Sequence, residues 1–305
     1  MELTLKDLSA AFRRAGVEAG DTIFVHAALR TLGRVEGGAP AVARALQAAV
    51  GPGGTLAAPA FTFVHEIEEN PLIDPNRDPS EMGAVTEAIR LLPGALRSAA
   101  YRHSVSAVGP GAAAVTEVDH TLSVFDIRSS FGRLLALDAK IVLLGVTYEN
   151  CTAHHFAEYI LKVPDRETVR HTVRLVLPDG SVQKTVMTDY CPRATENGDY
   201  YAYPHDFNRI GVRLEQLGGV RIAPVGNAIC RVFRLRELIH LILDSYSLHP
   251  DLFAEDPETG KARLTDGVTV YGGEFLDGAN RPDDYIWSVV DPEKLYRLPN
   301  SEKKA

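Results

Sequence analysis

Three features of this sequence predict an α/β fold: a mixed, largely parallel central sheet with flanking helices, plus a β-hairpin insertion and a C-terminal tail. The first is strand–helix–strand alternation near the start. Thr22-Ile23-Phe24-Val25-His26 reads as a buried strand, Ala39 to Val50 as a helix, and Thr55-Leu56-Ala57-Ala58-Pro59 as the next strand. Such a unit implies a right-handed crossover between parallel strands. The second is a later recurrence of the same alternation: a helix over Phe131–Asp138, a strand over Ile141–Val146, and a helix opening near Thr152. The third is a change to period-two alternation between Thr168 and Asp189. There Val173, Leu175 and Leu177 lead into Pro178-Asp179-Gly180-Ser181, followed by Val182, Thr185 and Met187. That is a hairpin with turn residues of the expected chemistry.

The remaining elements follow from start and stop signals. Thr4-Leu5-Lys6-Asp7 resembles a helix N-cap with an acidic first turn, and Leu5, Leu8, Phe12 and Val17 form its apolar stripe up to Gly20-Asp21. Gly51-Pro52-Gly53-Gly54 stops the second helix, and it lacks the following Lys of a phosphate-binding P-loop. The polar stretch His65 to Ser80 is long for a loop in a compact domain, which points to a functional segment such as a lid or substrate loop. Further helices are expected near Asp206–Leu217 and Val232–Tyr246. Beyond Asp256 periodicity fades. The domain expectation is therefore a unit over 1–256, with 257–305 as a C-terminal extension packed on the same domain. In that extension Tyr285 and Trp287 would cap a pocket or meet a second copy, and the sequence does not decide between them.

Composition narrows the function classes. The chain has 305 residues, 45% of them apolar, as expected of a folded α/β protein. There is no apolar run of about eighteen residues to span a membrane, and the start Met1-Glu2-Leu3-Thr4-Leu5-Lys6-Asp7 lacks the pattern of a signal peptide. Cys151, Cys191 and Cys230 are too few and scattered for a disulfide framework. A cytoplasmic location is expected. The formal charge of −8 argues against a nucleic-acid partner. It mildly favours a cationic small molecule, although many proteins are acidic simply to stay soluble.

The stretch Asn150-Cys151-Thr152-Ala153-His154-His155-Phe156-Ala157-Glu158-Tyr159 carries the chemistry. His155 and Glu158, three residues apart on a helix, share one face. A His–carboxylate pair at a strand-to-helix junction places a general base at the mouth of a sheet. His154 points about 100° away and takes a structural role. Adjacent histidines do not have zinc-ligand spacing, so no metal is expected. Cys151, a thiol near a helix start, is a rival nucleophile that would give ping-pong kinetics. The acidic residues Glu66, Glu68 and Glu69 would attract an amine-rich acceptor, or form an ordinary solvated loop.

Four ordered blocks extend the pattern. They are Val25-His26-Ala27-Ala28-Leu29-Arg30-Thr31-Leu32-Gly33 with Gly51–Thr55; Ile73-Asp74-Pro75 with Pro79-Ser80-Glu81-Met82-Gly83 and Arg97-Ser98; His103-Ser104-Val105-Ser106-Ala107-Val108-Gly109; and Ser129–Leu134 with Thr152-x-x-His155-x-x-Glu158. Over roughly residues 5 to 255 this set resembles the aminoglycoside 3-N-acetyltransferase family, also called the antibiotic N-acetyltransferase family. The resemblance implies that family's fold, acetyl-CoA as co-substrate, and transfer of acetyl to a primary amine. It implies His155 as general base with Glu158 beside it, and a coenzyme A channel along Ala27 to Leu32. We accordingly assign His26, Ala27, Ala28, Leu29, Arg30, Thr31, Leu32, Ser104 and Val105 to the cofactor, and Phe61, Glu66 and Asp74 to the acceptor. The partners expected are a small-molecule amine and acetyl-CoA, with a homodimer admitted and no nucleic acid or membrane.

Residue chemistry agrees with that implication. An amine attacking a thioester creates an oxyanion and a cationic nitrogen, and an imidazole with an ordinary pKa of about 6.5 takes the nitrogen's proton at neutral pH. Backbone N–H groups at a helix start or Gly-rich turn stabilise the oxyanion. The chain also departs from the family pattern. Ala100-Tyr101 stands where aminoglycoside-acetylating members usually carry His-Pro, Asp126-Ile127-Arg128-Ser129-Ser130 replaces a glycine-bearing turn, and Ala27-Ala28 lacks a common serine. These departures leave the acyl-transfer class standing and bear on the acceptor pocket. A Cys151-dependent acyltransferase or hydrolase, and a non-catalytic coenzyme A- or amine-binding homologue, are the alternatives.

Overall fold

In the computed structural model, which describes residues 2–63, 68–193, 205–254, 262 and 264, the chain opens with helix α1 (Leu5–Arg14). The expected cap is formed in both directions: Thr4 Oγ1 accepts from Asp7 N, and Asp7 Oδ2 accepts from Thr4 N. Strand β1 (Thr22–Ala27), helix α2 (Gly38–Val50) and strand β2 (Thr55–Pro59) then form the predicted crossover unit, with β1 and β2 parallel. β3 (Leu72–Ile73), α3 (Ala84–Arg90), β4 (Leu96–Arg97), β5 (Val105–Val108), α4 (Ala112–Thr116) and α5 (Ser130–Ala136) follow. β6 (Lys140–Leu144) leads into α6 (Ala153–Leu161), the hairpin β7 (Arg166–Val176) and β8 (Val182–Pro192), and α7 (Phe207–Gln216). The last described elements are β9 (Val220–Val225), β10 (Ala228–Arg234) and α8 (Leu235–Tyr246).

The main sheet has seven strands in the order β4-β5-β2-β1-β6-β10-β9, and β3-β7-β8 form a second sheet. Within the main sheet parallel pairing is confined to β2–β1–β6, less than the largely parallel sheet expected. The outer strands pair antiparallel. For β9 and β10 the reason is connection length: Gly226-Asn227 alone joins them, and so short a link allows only antiparallel neighbours. The helix expected from Val232 begins at Leu235, because Val232–Arg234 pairs with Lys140–Val142 as the end of β10. An apolar run flanked by charges does not distinguish a buried strand from a helix.

Alternation along the central strands sends side chains to two cores. Phe24, Ile141 and Leu143 face a core closed by α4 to α8, while Ile23, Val25, Val142 and Leu144 face one closed by α1, α2 and α3. A third cluster, Ile73, Tyr101, Val173, Leu175 and Met187, ties the hairpin to the body. The C-terminal extension lies outside the described residues apart from Ala262 and Leu264. Both are buried, and Ala262 N donates to Asp206 Oδ2 at 2.7 Å. Tyr285 and Trp287 also lie outside them. Among the described residues no helix is long and apolar enough to cross a membrane.

Candidate active site

The parallel strands β2, β1 and β6 end together at Pro59, Ala27 and Leu144, and the chain leaving each end lines one cleft of about 330 Å³. The carboxyl ends of parallel strands are where open α/β sheets bind ligands. His26, Ala27, Ala28, Leu29 and Arg30 line this cleft. Glu81, Met82, Gly83, Ala84 and Thr86 form the opposite wall, and Val146, Asn150 and Thr152 lie at its β6 side. Gly83, with φ of +109°, turns the chain into α3 at this wall.

The structure does not bring four assigned residues to the cleft. Thr31 Oγ1 donates to Ala28 O, and Leu32 is buried in the core. The Ser104 hydroxyl donates to Ala60 O at 2.7 Å and accepts from Arg97 Nε. Val105 is fully buried in β5. Local sequence marked the loop but not the point at which it turns inward.

Helix α6 starts beside the cleft. Thr152 lines it, and His155 is one turn further along the same face. His155 Nδ1–H donates to Glu158 Oε2 at 2.6 Å, which leaves Nε2 as the lone-pair nitrogen. The imidazole is one-fifth exposed and meets the rings of Phe125 and Phe207 edge-on. Glu158 is buried, and Arg166 Nε lies 2.8 Å from the same Oε2. Lys162, in the left-handed region, ends α6, and Pro164 then prevents its continuation. The chain reverses there and carries Arg166 back onto Glu158. Burial, then the positive charge of Arg166, hold the His155 pKa well below its ordinary value. Burial pushes Glu158 upward against the opposing pull of Arg166. The result is a neutral imidazole with one nitrogen fixed and the other available.

His154 is fully buried. Its Nδ1–H donates to Cys151 O at 2.9 Å and its ring stacks on Phe207 at 4.3 Å. Cys151 is also buried, and burial pushes its thiol up to about 12. A thiol so far from ionisation is no nucleophile at neutral pH, so the covalent route through Cys151 loses its physical basis.

A second His–carboxylate pair lies near the first. His103 Nδ1 is 3.1 Å from Asp189 Oδ1, and Arg102 Nε is 3.5 Å from Asp189 Oδ2. Hydrogen bonding and charge from His103 and Arg102 hold Asp189 at about 2, against the upward push of burial. Phe61 packs edge-on against His103 at 4.8 Å, so one acceptor-assigned residue sits here. Asp74 does not: its Oδ1 accepts from Asn76 N, making it a turn former. Glu66 lies outside the described residues. Among those residues no group of three His, Cys, Asp or Glu side chains is placed to hold a metal ion. Sequence reading missed Arg166, Asp189 and the Glu81–Thr86 wall. Glu81-Met82-Gly83 stood within a quoted block, whereas the approach of Arg166 and Asp189 depends on the hairpin's packing and left no local signal.

Known proteins resemble this chain in sequence and in fold. A family model for aminoglycoside 3-N-acetyltransferase matches residues 24–246. Aminoglycoside N(3)-acetyltransferase III of Salmonella sp is 32% identical over alignments covering 77% of this chain and 88% of that protein. Aminoglycoside N(3)-acetyltransferase IV, also of Salmonella sp, is 29% identical over 82% and 89%. Among solved structures, AAC-IIIb binary with CoASH is similar at a TM-score of 0.70 and 26% identity, covering 84% of this chain and 99% of that one. Sisomicin-bound AAC-VIa is similar at 0.68 and 25%, covering 80% and 97%. The chain belongs to the aminoglycoside 3-N-acetyltransferase family.

Proposed function

We propose that this protein is a coenzyme A-dependent N-acyltransferase that moves acetyl from acetyl-CoA to a primary amine of an aminoglycoside or related small amine. Both substrates are bound together and His155 is the general base. The observation that carries the reading is the His155–Glu158 contact of 2.6 Å, one helical turn from a cleft at the ends of the parallel strands. The coenzyme-bound and sisomicin-bound relatives support the two substrate classes. A cytoplasmic location suits a donor made there.

In the reaction the acceptor nitrogen attacks the thioester carbonyl carbon. His155 Nε2 takes a proton from that nitrogen as the C–N bond forms. Glu158 accepts from Nδ1–H and stabilises the imidazolium that results. The oxyanion collapses, the C–S bond breaks, and the coenzyme leaves as a thiolate that the imidazolium can protonate. Of the assigned cofactor residues, His26 to Arg30 line the donor cleft, and the small Ala27 and Ala28 leave room for the pantetheine arm.

The test is thiol release from acetyl-CoA across a panel of amines. Initial-rate lines should intersect, and His155→Ala should lower kcat by about 10²–10⁴-fold, the usual worth of a general base. A fully active His155→Ala protein would refute the mechanism.

A further inference from the structure

Thr152 stands at the N-cap of α6, yet it does not cap the helix. Its φ of −58° and ψ of −19° are helical, and its hydroxyl accepts from no N–H group of the first turn. A capping side chain needs extended backbone to bend over that turn. Thr152 lines the cleft at the strand ends instead. It is 8% exposed, and among the described residues its hydroxyl makes no hydrogen bond. A hydroxyl that is nearly buried, unpartnered and open to a cleft is one that a ligand completes. The N–H groups around it are already engaged. Cys151 N donates to Tyr148 O, His154 N to Cys151 O and His155 N to Thr152 O, while Ala28 N, across the cleft, donates to Leu144 O. Those backbone groups are therefore not free to receive the negative charge of a tetrahedral intermediate. His155 is one turn further along the same face. Helical side chains lean toward the N-terminus, so the imidazole lies over the turn that Thr152 begins. Glu158, on the far side, holds Nδ1 at 2.6 Å, which leaves Nε2 on the opposite ring edge.

We propose that the Thr152 hydroxyl is an oxyanion donor of this site, giving a hydrogen bond to the thioester carbonyl oxygen as the acceptor amine attacks. This deepens the acetyltransferase reading and rests on it. The nitrogen that loses its proton and the oxygen that gains charge are bonded to the same carbon. Base and oxyanion donor must therefore stand side by side, as two residues one helical turn apart do. As the C–N bond forms, the carbonyl π pair moves onto oxygen and the Thr152 O–H donates to it. On collapse the C–S bond breaks and the coenzyme leaves as thiolate. The proton taken by His155 passes to that thiolate, and Thr152 keeps its own throughout. In a nearly buried position such a bond is stronger than in water, because the surrounding dielectric is low.

The experiment compares Thr152→Val, which keeps the shape and removes the hydroxyl, with Thr152→Ser, which keeps the hydroxyl, both in the full chain. Thr152→Val should lower kcat by about 10²-fold or more, the worth of one oxyanion donor, with little change in KM for acetyl-CoA. Thr152→Ser should recover most of that loss. The acid limb of kcat should stay in place in both, since the base is untouched. A Thr152→Val protein within about threefold of wild-type kcat would overturn the inference and leave the acetyltransferase reading intact. So would a Thr152→Ser protein as slow as Thr152→Val, or a moved acid limb, which would show Thr152 acting through His155. A second measurement needs no turnover: the infrared stretch of bound acetyl-CoA labelled at its carbonyl carbon. It should shift to lower frequency in the wild type and in His155→Ala, and not in Thr152→Val. If no amine is acetylated, the function reading fails, and this spectrum still decides the donor: the shift upholds it and its absence overturns it.

Discussion

His155 and Arg166 are held by one atom: Glu158 Oε2 lies 2.6 Å from His155 Nδ1 and 2.8 Å from Arg166 Nε. The carboxylate thus orients the imidazole while the neighbouring cation disfavours its protonation. The balance leaves an imidazole that is neutral at physiological pH yet can be stabilised when a proton arrives.

That balance sets the pH profile. As the proposed general base His155 must be neutral to act, and burial with Arg166 holds its pKa below the ordinary value. The acid limb of kcat should therefore fall below about pH 6.5, with the rate flat from there to neutrality. In Arg166→Gln the repelling cation is gone, the His155 pKa rises, and the limb should move to higher pH. An unmoved limb would mean that another group titrates.

Glu158→Gln should keep the fold and lose turnover. The amide still reaches Nδ1 but cannot stabilise imidazolium, and it leaves Arg166 without its countercharge. A fall in kcat of about 10²-fold or more, with a smaller change in KM for acetyl-CoA, is expected from initial rates.

Cys151→Ala should retain turnover within a factor of a few. The thiol is buried and pushed up to about 12. Pre-steady-state mixing with acetyl-CoA alone should show no burst of free thiol. A burst abolished by the substitution would restore the covalent route.

Gly211→Ala should destabilise the protein. A Cβ there would stand 2.0 Å from the Tyr148 ring. That ring is fully buried, and its hydroxyl donates to Glu215, which also pairs with Arg231. Overpacking of this kind costs about 1–3 kcal/mol or more, measurable by urea unfolding. Wild-type stability would show that α7 shifts freely away from Tyr148.

Mild acid should weaken the fold. Burial lowers both His26 and His154 to about 3. Above pH 6.5 neither contributes. As pH falls below 6.5 the unfolded chain takes up protons that the folded one refuses, so stability drops. Asp206, raised to about 6 by burial, works the other way and gains stability as pH falls through that value. Two histidines outweigh one aspartate, so the unfolding free energy at pH 4.5 should lie a few kcal/mol, on the order of 2–4, below that at pH 7.5. Equal values at the two pH settings would contradict the buried neutral histidines.

The sequence by itself determined what depends on short spacing. A period of 3.6 with Thr4 and Asp7 marked α1, period two with Pro178-Asp179-Gly180 marked the β7–β8 hairpin, and the three-residue step from His155 to Glu158 is a property of any helix. The cleft-lining loop was legible from His26 to Arg30, since it follows directly from the end of β1. Only the tertiary structure decided what crosses a chain reversal or a sheet. It placed Arg166 on Glu158 and Asp189 on His103, drew Glu81–Thr86 across from Ala28, and turned Leu32 and Val105 inward. It also made Val232–Arg234 a strand, because β6 supplies the hydrogen-bonding edge that pairs with it. Contacts of this kind arise when distant segments pack, and their energies depend on burial and charge at the meeting point rather than on any neighbour in the chain.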